Sequence, residues 1–394
     1  MNILFYTSCE VSPETGGTER ITASISQGLS RLYGVRCYSL YSSKVSEDTN
    51  LTPFEGKCCV PHVSRNRSKV EAFIRENHID LIINQGCFSL THIFRNALPE
   101  QSKVVFVHHF NPGSEHVAFS SVFRKFIGNL SKAGLMNFTR YLVYKMLHPA
   151  GLPGKYRDTY RYADRIVLLS LRFKDEFLKY ACLKDDHFNK ITAIHNSLSF
   201  PDFFDMNRYE NKKEASIDCQ PIRRKPQKKI GYALKIWESI ESETDLEDWE
   251  LVIVGKGQDE ASYHDYVRSH GLKRVRFEGR QNPKRYYEEA SIFMLTSSFE
   301  GWGLTLTEAQ QFGCVPLAFY SYASLPDIIT DGKNGFMIPY PALEVYQMKM
   351  MELMRDDEKR KAMAGNAVQS AHRFENDAIC RQWMQLLEET CNRK

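Results

Sequence analysis

Short runs of Val, Ile, Leu and Phe alternate along this chain with helix-length segments whose apolar residues recur every three or four positions. In the first half, Asn2–Thr7, Val35–Tyr41, Leu81–Asn84, Val104–His108 and Arg165–Leu169 read as buried strands, with helices over Thr18–Leu32, Ser68–Asn77 and Leu171–Tyr180. In the second half the strands are Glu250–Val254, Arg274–Glu278, Ile292–Thr296, Val315–Phe319 and Gly335–Ile338. The helices there are Ile230–Ser239, Ser262–His270, Pro283–Ala290, Thr305–Phe312 and Glu344–Arg355. Strand–helix alternation predicts a parallel sheet covered on both faces, and here it occurs twice. The expected fold is α/β, with two doubly wound, Rossmann-like domains, 1–196 and 197–375, whose ligand lies outside the strand carboxyl ends. Residues 201–229 are polar, charged and contain three prolines, and read as a linker merging into the first strand of the second domain.

Composition narrows the class without naming it. At 394 residues the chain can bury two cores, and its 25% charged and 42% apolar residues are ordinary for a globular protein. No apolar run reaches the length that spans a bilayer. Met1–Thr7 lacks the basic start of a signal peptide and reads as a first strand, so a cytoplasmic location is expected. Ten cysteines without a Cys-x-x-Cys pair indicate neither a zinc site nor a disulfide framework, and adjacent Cys58 and Cys59 read as strand lining. No Asp-x-Asp occurs, and no metal is implied.

Charge is uneven. Lys and Arg outnumber Asp and Glu 25 to 17 in residues 1–196, whereas the ratio is 27 to 31 in 197–394. Residues 116–157 hold seven Lys or Arg and no acid, interleaved with Phe, Leu, Val and Met. Such a segment suits peripheral contact with an anionic membrane at its inner face, with a core helix carrying a solvated basic side as the competing reading. No nucleic-acid-binding motif accompanies it.

The most informative stretch is Ser297-Ser298-Phe299-Glu300-Gly301-Trp302-Gly303-Leu304-Thr305-Leu306-Thr307-Glu308. A strand before it, a Gly-x-Gly turn and a helix opening at Leu304 or Thr305 make a phosphate cradle, with backbone N–H groups and the positive helix end aimed at an anion. Glu300 and Glu308 are poor partners for phosphate but good acceptors for sugar and ribose hydroxyls. Together they point to a sugar nucleotide. Gly16-Gly17 lies in the first strand-to-helix turn, where doubly wound domains bind ligands, with Thr18 as the expected helix cap. His108 and His109 close the fourth predicted strand, each also readable as a structural histidine.

Glu-x7-Glu, followed by Phe312-Gly-Cys-Val-Pro316 and Leu325-Pro-Asp-Ile-Ile-Thr-Asp-Gly-Lys-Asn-Gly-Phe336, resembles the retaining glycosyltransferase family four. The resemblance implies the GT-B fold, two facing domains with the active site in the cleft between them, and a final helix, about 376–394, that packs back on the first domain. It implies an NDP-sugar donor, UDP-linked here, used without metal or other cofactor, and a glycan or lipid-linked acceptor. His109, three residues before Pro112, would contact the transferred sugar or its leaving group. Gly16 and Gly17 match the family's N-terminal loop. Lys228, in Gln227-Lys228-Lys229, matches the lysine of the family's phosphate-binding basic pair. The arginine end reads Pro221-Ile-Arg223-Arg224 with no glycine before it, leaving Arg223 or Arg224 as the partner, or the cluster as a solvated loop. The turns at Gly255 and at Gly279-Arg280 would hold the base. Gly301, Trp302, Gly303, Leu304 and Thr305 would line the donor, with Ser297 and Ser298 as further hydroxyls and Trp302 standing where the family has Phe. The expected function is retaining hexosyl or N-acetylhexosaminyl transfer in surface polysaccharide synthesis. A sugar-nucleotide epimerase of the same fold and a non-catalytic sugar-nucleotide-binding partner subunit remain as alternatives.

Overall fold

A computed structural model describes all residues except 13–15, 45–53, 115–135, 137–138, 140–150, 220–226 and 393–394. Arg223, Arg224 and most of the basic segment 116–157 therefore lie outside the described residues. The chain divides into two compact units. One is Met1–Ile194 with Gln382–Lys394, the other His195–Arg381.

The N-terminal unit is built on β1 (Asn2–Cys9), β2 (Arg36–Ser43), β3 (Gly56–Cys59), β4 (Leu81–Gln85), β5 (Lys103–His108), β6 (Arg165–Leu168) and β7 (Ile191–Ala193). They form one parallel sheet in the order β3-β2-β1-β4-β5-β6-β7. Helices α1 (Gly17–Tyr33), α2 (Arg67–Glu76), α3 (Thr91–Ala97), α4 (Gly151–Tyr162) and α5 (Lys174–Ala181) connect them. Ile3, Leu4, Phe5, Leu81, Ile82, Ile83, Val104, Val105 and Phe106 are fully buried, alternating between the two faces. This is why these strands appear as unbroken apolar runs.

The second unit has β8 (Lys213–Cys219), α6 (Ile230–Glu241), β9 (Glu250–Val254), α7 (Glu260–Ser269), β10 (Val275–Gly279), α8 (Lys284–Glu289), β11 (Ala290–Leu295), α9 (Leu304–Gln311), β12 (Val315–Tyr320), β13 (Phe336–Pro339), α10 (Leu343–Arg355) and α11 (Asp357–Ala371). Its parallel sheet runs β10-β9-β8-β11-β12-β13. Trp237, Leu251, Ile253, Met294, Leu317, Phe319, Tyr346 and Leu353 make the core on one side of it. A last helix, α12 (Asn376–Asn392), starts in this unit and ends in the other, where Trp383, Leu386 and Leu387 are buried and Glu389 lies 3.3 Å from Arg165.

Two expectations are corrected here. Residues 201–229 are not a linker throughout, because Lys213–Cys219 is the central strand β8, paired with β9 and β11 on either side. The ladder satisfies its backbone while its polar sequence hides it from a search for apolar runs. Thr18 does not cap α1. The cap is Gly16, and the Glu19 carboxylate sits over it, 2.8 Å from where a Cβ would be.

One lysine closes a layer of the second unit. Lys212 sends its amine to the carbonyls of Tyr287 (2.9 Å), Glu288 (3.3 Å) and Ala290 (2.6 Å), where α8 ends and β11 begins. Burial pushes its pKa down. Lys212→Met should strand these carbonyls at a cost of about 2 kcal/mol. In a unit of this size the melting midpoint should fall by roughly 4–8 °C in a thermal scan. An unchanged midpoint would mean water replaces the amine.

Candidate sugar-nucleotide site

In a doubly wound sheet the binding crevice opens where strand order reverses, since loops on either side of that point diverge to opposite faces. In the second unit the reversal falls between β8 and β11. The segment Gln227–Lys229, which enters α6, docks on the loop that leaves β11. Ser298 donates its amide (2.7 Å) and its hydroxyl (3.2 Å) to the Gln227 carbonyl. Thr296 donates its hydroxyl to the carbonyls of Lys228 and Lys229 at 3.1 and 3.2 Å. Gln227 answers with its amide, to the Phe299 carbonyl (3.1 Å) and to Glu300 Oε2 (3.3 Å).

This docking brings Lys228 Nζ to 2.6 Å from Glu300 Oε1. The pair is well shielded, with side-chain exposures of 17% and 10%. Two residues 72 positions apart thus meet at the switch point, a cation and a carboxylate side by side.

Just beyond Glu300, Gly303 caps α9 with φ 90° and ψ 60°, a left-handed geometry that favours glycine. A Cβ there would lie 3.1 Å from the Tyr322 hydroxyl. The Gly303 carbonyl takes the amides of Leu306 (2.9 Å) and Thr307 (3.4 Å), and those of Leu304 and Thr305 face the helix mouth. No side chain caps that end. The loop is braced from β12's far end, as Ser324 Oγ donates to the Gly301 carbonyl (2.9 Å) and Ser321 Oγ to that of Ser297 (2.8 Å). Tyr322 is buried with its hydroxyl unpartnered, and burial, with Glu300 adding, raises its pKa well above the usual phenol value.

The remaining expected positions divide. Glu308 is fully buried, its Oε1 accepting from Ser199 Oγ (2.5 Å) and its Oε2 from Tyr287 Oη (3.2 Å). Trp302 is 2% exposed, stacked on His195 at 4.6 Å and edge-on to Phe374 at 5.3 Å, so its ring packs in the interior. The Gly255 amide donates to the Gly279 carbonyl (2.7 Å), joining the turns after β9 and β10, and Arg280 stands exposed beside them. Sequence reasoning missed Gln227, Ser199, Tyr287 and Tyr322, none of which carries a motif.

In the N-terminal unit, order reverses between β1 and β4. Gly16 and Gly17 open α1 beyond β1. His108 uses both ring nitrogens internally, Nδ1 with the Phe110 carbonyl (2.8 Å) and Nε2 with Tyr156 Oη (3.1 Å). His109 instead meets Gln85 Oε1 through Nε2 at 2.5 Å. Burial, with His108 adding, pushes its pKa down to about 3. Among the described residues no trio of His, Cys, Asp or Glu stands close enough to hold a metal, and no helix is long and apolar enough to cross a membrane.

Residues 204–370 match the family described as Glycosyl transferases group 1, less than half of the chain. A stretch of 231 residues is 23% identical to the amylovoran biosynthesis glycosyltransferase AmsD of Erwinia amylovora, covering 58% of this chain and 63% of that protein. Another of 148 residues is 33% identical to an α-1,4-N-acetyl-D-galactosaminyltransferase of Campylobacter jejuni acting on a diNAcBac-PP-undecaprenol-linked acceptor, covering 37% of this chain and 41% of that one. The chain thus spans less than two thirds of the length of these curated relatives. Among solved structures, Anabaena Alr3699/HepE in complex with UDP-glucose superposes with a TM-score of 0.71 at 17% identity, over 99% of this chain and all of that one. The pneumococcal O-GlcNAc transferase GtfA, in complex with UDP and GlcNAc, gives 0.72 at 14% identity over 100% and 99%. These likenesses carry the fold, that of GT-B glycosyltransferases with two Rossmann-like α/β domains.

Proposed function

We propose that this chain is a retaining glycosyltransferase that moves a hexosyl or N-acetylhexosaminyl group from a UDP-sugar to a glycan or lipid-linked acceptor in surface polysaccharide synthesis, without a metal. The observation that carries the reading is the Lys228–Glu300 pair, 2.6 Å apart, beside the amino end of α9, which no side chain caps, at the point of strand-order reversal. That constellation supplies a phosphate cradle, a cation for the leaving diphosphate and a carboxylate for sugar hydroxyls from two segments that meet at the strand ends.

On this reading the diphosphate lies on the Leu304 and Thr305 amides, and Lys228 stabilises the negative charge that grows as the sugar departs. Arg223 or Arg224 adds to it. Glu300 holds hydroxyls of the transferred sugar, and Glu308 the ribose. Glu308 is held by the hydroxyls of Ser199 and Tyr287, which fix the orientation of its carboxylate. The turns at Gly255 and Gly279-Arg280 hold the base, His109 contacts the transferred sugar or its leaving group, and the Gly16-Gly17 turn contacts donor phosphate or acceptor. The acceptor attacks on the face the diphosphate leaves, and a leaving phosphate oxygen takes its proton.

UDP as the nucleotide is supported by the UDP complexes of the structural relatives. A lipid-linked acceptor at the cytoplasmic face of a membrane is supported by the Campylobacter relative's undecaprenol-linked acceptor, with segment 116–157 as the membrane contact. The test is release of nucleoside diphosphate from a panel of UDP-, GDP- and dTDP-sugars, with and without lipid-linked acceptors. Release from one donor, lost in Glu300→Ala, is expected. Nucleotide binding without release from any donor would defeat the enzymatic reading and favour a binding subunit.

A further inference from the structure

Glutamine 85 ends β4, and the next residue, Gly86, turns the chain at φ 89°. On the neighbouring parallel strand Gln85 faces Val107, two residues before His109. Gln85 is 7% exposed and its Oε1 lies 2.5 Å from His109 Nε2. An amide oxygen only accepts, so the hydrogen belongs to Nε2. The ring is neutral, since burial holds its pKa near 3. One nitrogen must then be bare, and Nδ1 has no hydrogen-bond partner among the described residues. His108 has no such freedom, because both its nitrogens are engaged.

Gln85 also leaves its own Nε2 buried without a partner. Buried unsatisfied donors are rare and call for a reason. Turning the amide would give that nitrogen a partner at the ring, at the expense of the Nε2–H form. The observed arrangement fixes the ring's tautomer instead.

We propose that Gln85 is a positioning residue that holds His109 as the Nε2–H tautomer, so that Nδ1 is presented as a hydrogen-bond acceptor to a hydroxyl of the transferred sugar. The proposal rests on the reading of His109 as a substrate contact and sharpens it. A bare ring nitrogen attracts an O–H and repels a phosphate oxygen. His109 therefore reads the sugar and does not stabilise the departing diphosphate, the other role open to it.

The tautomer is measurable without any ligand, by two-bond proton–nitrogen correlation spectra of 15N-histidine-labelled full-length protein at neutral pH. We expect Nε2 protonated and Nδ1 bare at His109, with a mixed or inverted pattern in Gln85→Leu. The His108 signals serve as the check that the variant is folded. In turnover of UDP-glucose, UDP-galactose or UDP-N-acetylglucosamine, Gln85→Leu should lower kcat about 10- to 100-fold while the Kd for free UDP stays within about twofold. Gln85→Glu, which keeps an acceptor at the same place, should recover most of the loss. An Nδ1–H ring in the unmodified protein, or a folded Gln85→Leu with unchanged kcat, overturns the inference and leaves the transferase reading intact. Failure of the unmodified protein to release nucleotide from any donor overturns that reading instead, with the tautomer still read directly.

Discussion

Glutamine in place of Glu300 should cut sugar transfer about 10³-fold and, in the same protein, tighten free UDP about tenfold. The first effect follows from the role given to the carboxylate, whose bonds to sugar hydroxyls strengthen as charge develops on the ring. The second follows from the ion pair. Lys228 lies 2.6 Å from Glu300, so a diphosphate that takes the lysine must draw it away from that carboxylate. Two unit charges about 4 Å apart at an effective dielectric near 20 attract by about 4 kcal/mol. Desolvation offsets much of that, and the remaining third is enough for a tenfold change. Glutamine keeps the shape and removes the competition. Calorimetric titration with UDP reads the affinity, and weaker binding to Glu300→Gln would show that the pair is no obstacle. In a Lys228→Met background the gain should disappear. If it persists there, simple repulsion between Glu300 and the phosphates is the cause.

Valine at position 303 should abolish nucleotide binding and lower stability together. With φ at 90° a β-branched residue is strained by at least 1–2 kcal/mol, and its Cβ would press on the buried Tyr322 hydroxyl from 3.1 Å. The chain can relieve both only by rotating the 301–305 turn, which swings the Leu304 and Thr305 amides off the helix axis. Transfer should drop more than about 10²-fold, since an anion held by misdirected donors loses the geometry that stabilises it. A Gly303→Val protein that binds UDP like the unmodified chain would remove the α9 mouth from the site.

Both predictions concern residues that sequence marks clearly, and the reason is local. A strand, a Gly-x-Gly turn and a helix lie within about twenty consecutive positions, so Gly303, Leu304 and Glu300 could be placed without any tertiary knowledge. The doubly wound pattern was legible for the same reason, as β1, β4, β5 and β11 are buried on both faces. What was hidden is non-local or polar. Strand β8 sits at the centre of its sheet with Lys, Glu, Ser and Asp among its seven residues, held by backbone ladders that composition does not reveal. Helix α11 escaped notice because its apolar positions are mostly alanine. Gln227, Ser199 and Tyr322 reach the site across 73, 109 and 19 positions from Glu300, Glu308 and Gly303, and no spacing rule links them. Gln85 was invisible until its amide oxygen was found on His109.

The division of the chain also bears on the order in which it is made. The N-terminal unit claims Gln382–Lys394, so its fold is closed by residues made after the whole of His195–Arg381, which is one continuous stretch. The unit that begins first must therefore wait through the synthesis of its successor, with the surfaces that Trp383, Leu386 and Leu387 will cover still bare. Vectorial synthesis thus reverses the expected sequence of completion, and a chain halted just after residue 381 has emerged from the ribosome would present a later-encoded unit that is whole beside an earlier one that is not.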